Sequence, residues 1–148
     1  MLMAMFGRSE KKKNAELIAP IWLRDMQKAR DIVNRTTDPD AFFTEYDSLK
    51  ELAEKLTLAS KYVKMKGTKP AEVLRMARDQ EEAATRNFIL RCFQKAVLNA
   101  EKLKTEKGKL GQFEKFQSSL EPYFFRMSDE NARLVQDLHD EALKKIGG

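Results

Sequence analysis

Cysteine and histidine are nearly missing from this chain, with one of each among 148 residues. A lone Cys92 can close no intramolecular disulfide, and its setting in FILRCFQKAVL is that of a small buried apolar residue. A reducing, cytoplasmic compartment is therefore expected. One histidine and one cysteine leave no metal-ligand spacing, and the six glycines build no nucleotide-binding loop. No segment approaches the ~20 apolar residues of a membrane span. The apolar start MLMAMF precedes its basic residues, reverse to a signal peptide, so neither export nor membrane insertion is expected. The inventory points to no enzyme, no cofactor, no metal and no small-molecule substrate.

Helix-forming sequence is what the chain does contain. Apolar residues Ile18, Ile21, Trp22, Met26, Ala29, Ile32 and Val33 follow helical spacing, and Pro20 predicts a first turn or a kink, with regular helix to Asn34. Thr36-Thr37-Asp38-Pro39-Asp40 predicts a helix start capped by the side-chain oxygen of Thr37 or Asp38, with Pro39 as its first residue. The stripe Phe42, Tyr46, Leu49, Leu52, Leu56, Ala59 and Val63 then continues to a stop at Gly67. From Pro70 the helical pattern meets no Pro or Gly until Gly108, with a weak, bend-prone stretch at residues 79–82. Phe113, Phe116 and Leu120 mark a shorter helix broken by Pro122, and Ser128 can cap a last one carrying Leu134, Val135, Leu138, Ala142, Leu143 and Ile146.

Short connections predict an all-α, up-and-down antiparallel bundle of four to five helices around a long central hairpin. In it Phe88, Cys92, Ala96 and Leu103 are expected to face Leu49, Leu52, Leu56 and Val63. Residues 14–148 are read as one bundle domain, and residues 1–13 as a basic N-terminal arm.

Charge comes in alternating blocks within a formal net of +5. Residues 36–60 carry two Lys against six acids, whereas Lys61, Lys64, Lys66, Lys69, Arg75 and Arg78 stand against Glu72 alone. Such a patch attracts polyanions by counterion release, but with only Tyr62 interleaved it lacks the stacking platform of single-strand binders. A second block, Lys102, Lys104, Lys107 and Lys109, surrounds a Gly108–Gly111 GxxG spacing; it suits either a helix C-terminus or an anion loop. His139 lies among acids, yet Gln136 occupies the position where a di-iron Glu-x-x-His motif needs Glu, so a solvated surface histidine is expected. The carboxylate pairs Glu81/Glu82, Asp129/Glu130 and Asp140/Glu141 read as solvated faces. Tyr123, Phe124 and Phe125 follow Pro122 directly. Neighbouring helical side chains diverge by ~100°, so at least one of these rings is expected on the surface as a partner contact.

The segments TTDPDAFFTEYDSLKELAEKL and AEKLKTEKGKLGQFEKFQSSLEPYFFRMSDEN carry a resemblance over roughly residues 30–140. Through Asp38-Pro39-Asp40, Phe42-Phe43, Tyr46-Asp47 and the run LKTEKGK at residues 103–109, the chain resembles a family of uncharacterised all-helical proteins of Firmicutes-type bacteria and their mobile elements. The resemblance implies no catalytic residue. Similar segments often follow a basic or zinc-ribbon-like part; this chain keeps Lys11-Lys12-Lys13 without the cysteines, so no zinc role carries over. The expectation is a bacterial or phage-derived interaction module that binds a protein or itself, with nucleic-acid association through residues 61–78 as the alternative.

Overall fold

The computed structural model describes residues 7–147; Met1 to Phe6, half of the expected N-terminal arm, and Gly148 lie outside the described residues. The chain is all-α, with helices α1 (Arg8–Arg35), α2 (Pro39–Ala59), α3 (Pro70–Asp79), α4 (Glu81–Glu101), α5 (Glu106–Leu120) and α6 (Asp129–Gly147). A 3-10 helix, Glu121–Arg126, joins α5 to α6, and there is no strand among the described residues. No described helix is long and apolar enough to cross a membrane. The chain divides into two compact units, one of residues 7–35 with Phe43–Asp79, the other of Thr36–Phe42 with residues 80–147.

In the first unit, α1 starts well before Pro20, which lies inside it, and takes in Lys11, Lys12 and Lys13. Pro20 and Glu16, whose carbonyl loses its usual donor, are both exposed, so water can replace the missing bond. The buried stripe is Ala15, Ala19, Met26, Ala29 and Val33. Ile18, Ile21 and Ile32, expected inside, are exposed. Small alanines admit closer backbone approach than isoleucines, and the core face follows them.

Asp38 opens α2 as expected, its carboxylate accepting from the Ala41 N–H at 3.4 Å, with Pro39 first in the helix. The helix ends at Ala59, well before Gly67. There Ser60 Oγ donates to the Thr57 carbonyl at 2.6 Å, competing with the helical ladder, and the Lys61 N–H turns back to Leu58. Gly67, at φ 75°, serves the loop instead. The chain then returns as α3, whose last turn meets the start of α2: the Tyr46 hydroxyl donates at 2.6 Å to the Ala77 carbonyl.

The predicted long third helix divides at Gln80 (φ −108°, ψ 14°), inside the stretch whose apolar stripe lapses, so the described residues form six α-helices rather than four or five. In the second unit α5 packs against both α4 and α6, and α4 also meets α6. Phe88, Ile89, Phe113, Phe116, Leu120 and Val135 form the core, and Phe93 meets Phe113 and Phe116 at centroid distances of 5.6 and 5.4 Å. Ala96 is buried, Cys92 is half-buried and Leu103 is exposed. Ser128 caps α6 by accepting the Asn131 N–H at 3.1 Å, and buried Asn131 donates to the Glu82 carbonyl at 3.0 Å.

The α4–α5 junction departs from expectation. Helix α4 stops at Glu101, and Gly108 lies in the first turn of α5, where the Thr105 hydroxyl accepts its N–H at 3.1 Å. A Cβ on Gly108 would come within 2.9 Å of Thr105 Oγ1. Gly108 and Gly111 are thus helical, and no GxxG loop exists. Replacing Thr105 by Ala should cost ~1 kcal/mol in urea unfolding, the usual loss of a cap.

Candidate partner-binding groove

Moving the buried stripe of α1 onto its alanines leaves a second apolar face on the same helix. Leu17 is 75% exposed, with Ile18 and Ile21 beside it. On α2, Leu58 is 58% exposed, two residues from fully buried Leu56. These side chains, with Ala15, Trp22, Ala59 and Tyr62, line a groove of about 900 Å³ in the first unit. Its charged lining residues are Lys11, Lys55 and Lys61, with no acid among them. Lys55 Nζ is held 3.1 Å from Glu51 and 5.6 Å from the Trp22 ring centroid, an ion pair and a cation–π contact on one ammonium. Sequence reasoning missed this surface because it joins two segments some forty positions apart.

Comparison with known proteins finds no matching family model, no matching curated protein and no matching solved structure.

The aromatic run expected as a partner contact lies in the 3-10 helix. Phe125 is 81% exposed, and Tyr123 and Phe124 are half-buried. The Tyr123 hydroxyl donates to Asp40 at 3.4 Å, and partial burial, then the carboxylates of Asp40 and Asp38, push its pKa up. Of the basic residues, Lys61, Lys64, Lys66, Lys69, Arg75 and Arg78 are all exposed. Lys69 shares a cavity of about 610 Å³ with Arg24 and Arg30 of α1, two cations the sequence reading left aside, and with Glu72. Lys102 and Lys104 are exposed between α4 and α5; Lys107 and Lys109 lie in the first turns of α5 and not at a helix C-terminus.

The chemical candidates stay apart. Among the described residues no three His, Cys, Asp or Glu side chains come together as a metal site would need. His139 is not solvated as expected: its side chain is 12% exposed, Nδ1 lies 3.3 Å from Asp140, and Nε2 is buried without a hydrogen-bond partner among the described residues. Helix α6 packs against both α5 and α4, and His139 lies within ~80° around the helix of its buried residues Asn131, Val135 and Ala142, which turns the ring toward the covered side.

Arg91, Cys92 and Lys95 of α4 each reach the start of the Thr36–Phe42 segment. Arg91 donates through Nε and Nη2 to the Thr36 carbonyl at 3.3 Å, Cys92 Sγ approaches the Thr37 carbonyl at 3.4 Å, and Lys95 reaches Thr37 Oγ1 at 3.3 Å. Burial pushes the Cys92 thiol up to about 12, outweighing the lowering by Arg91 and Lys95. At pH 8 it should react with an aromatic disulfide reagent much more slowly than in the unfolded chain, since only the thiolate attacks and the higher nucleophilicity of a more basic thiolate offsets only part of its lower population. The unfolded chain releases this proton first above its ordinary 9.0, so stability should fall between pH 9 and 12. The slope is at most ~1.4 kcal/mol per pH unit. Alkaline urea titrations of Cys92→Ala should be flatter by that amount.

Proposed function

We propose that this chain is a non-catalytic, all-helical protein-interaction module of a bacterial or phage-derived system, and that it works through the α1–α2 groove. The observation that carries this reading is the exposure of Leu17 and Leu58 in one concave apolar surface, joined by Ile18 and Ile21. Scattered surface leucines need no explanation; four large apolar side chains on one groove do. A small-molecule pocket would bury most of such a lining, whereas here Leu17 and Leu58 face solvent.

The test compares affinity isolations from a bacterial lysate with the natural chain and with Leu58→Asp as bait. A stoichiometric protein lost only with Leu58→Asp supports the reading, and equal recovery by both, or none by either, overturns it. Phe125→Ser serves as a parallel bait for the 3-10 surface. Both substitutions replace exposed side chains, so melting temperatures should stay nearly unchanged, within the ~0.5 kcal/mol typical of surface sites.

Nucleic-acid association is the second reading, favoured by Arg24, Arg30 and Lys69 around one cavity. Titrating labelled duplex and single strand at two salt concentrations decides it. No binding even near ~50 mM salt, where backbone-driven binding is strong, removes it.

A further inference from the structure

The groove described above has a length, a chemistry and a charge sign, and together these restrict what can lie in it. Along α1 its lining residues run from Lys11 to Trp22. At 1.5 Å per residue that is ~16 Å, or about three helical turns. Apolar positions on such a track match the i, i+3, i+4, i+7 anchors of an amphipathic helix laid in a groove. Every charged residue of the lining is a lysine. Lys55 is engaged by Glu51, whereas Lys11 and Lys61 have no ion-pair partner among the described residues.

Given the interaction role proposed for this groove, on which the inference depends, we infer that its partner is an acidic amphipathic helix. Its apolar side chains occupy the surface formed by Leu17, Ile18, Ile21 and Leu58, and its flanking carboxylates pair with Lys11 and Lys61. A basic or neutral helix would meet the same apolar surface but gain nothing from the rim, and a basic one would be repelled. Apolar burial thus supplies affinity, and the lysines select the partner by charge.

Trp22 is the only tryptophan of the chain and lines the groove, so its emission reads occupancy directly. The probes are two synthetic helices of about 18 residues with identical leucines at i, i+3, i+4 and i+7, one flanked by Glu and one by Lys. The acidic peptide is expected to shift Trp22 emission saturably and to bind about tenfold more tightly than the basic one at low salt, the difference shrinking as salt rises. In the double variant Lys11→Glu with Lys61→Glu the preference should reverse, a result that mere loss of folding cannot produce. Leu58→Asp should weaken both peptides. A chain lacking residues 1–6 should bind as the full chain does; tighter binding of both peptides would show that its own N-terminus competes, and would overturn the assignment.

Equal binding of the two peptides would overturn the acidic partner and leave the groove as an interaction surface. Binding of neither would overturn both. A Trp22 response to anionic phospholipid vesicles but to neither peptide would assign the surface to a membrane. A dimer in sedimentation velocity that Leu58→Asp dissolves would assign it to a second copy of the chain.

Discussion

Phe88→Ala is expected to lower the unfolding free energy by ~3–5 kcal/mol, the range for removing a buried aromatic side chain. Phe88 is fully buried and lies on Phe42 with ring centroids 4.3 Å apart and planes 9° from parallel. The Arg91 guanidinium also lies 5.8 Å from its ring centroid. Deleting the ring removes apolar burial, leaves a cavity beside Phe42, and exposes a partly desolvated cation that also holds the Thr36 carbonyl. These losses act in one place, so little relaxation can relieve them. Urea denaturation at neutral pH measures the total. A cycle with Phe42→Ala isolates the ring pair, for which about 0.5–1.5 kcal/mol of coupling is expected beyond area burial. A total loss below ~1 kcal/mol would show that the pair does not carry the core of this unit.

Leu56→Ala should cost ~2–5 kcal/mol, and Leu58→Asp almost nothing, although the second change is chemically more drastic. The two leucines share α2 but lie about 200° apart around it. Leu56 is fully buried, whereas Leu58 faces solvent from the groove. Melting curves of the two variants, run side by side, test whether α2 presents these two faces as described. Comparable losses would mean that the Leu58 face is packed in solution and that no open groove exists there.

Several features were legible in the sequence because they depend on neighbours along the chain. Asp38 and Pro39 begin α2, Ser128 caps α6, and the weak stripe at residues 79–82 becomes the break at Gln80. Local competition hid others. Gly108 looked like a helix stop, yet the Thr105 hydroxyl three residues earlier makes it part of a helix start, a signal carried by the Thr-Glu pair that precedes it. On α1, isoleucines outweighed alanines in the apolar pattern, but burial followed Ala15, Ala19 and Ala29. The groove was illegible for another reason. Residues near Leu17 and residues near Leu58 form it only once the chain has folded, and neither segment alone shows that it will be left uncovered.

The Cys92 thiol, held protonated against the Thr37 carbonyl, makes the chain chemically quiet toward electrophiles. A second cysteine, introduced by Leu58→Cys at an exposed groove position, would then be the one that maleimides find under native conditions. A fluorophore or spin label could be attached at the groove without first removing the native sulfur. The protein is thereby suited to site-directed spectroscopy in its natural background, and changes in a label's mobility or surroundings on occupancy become measurable on a chain altered at one position.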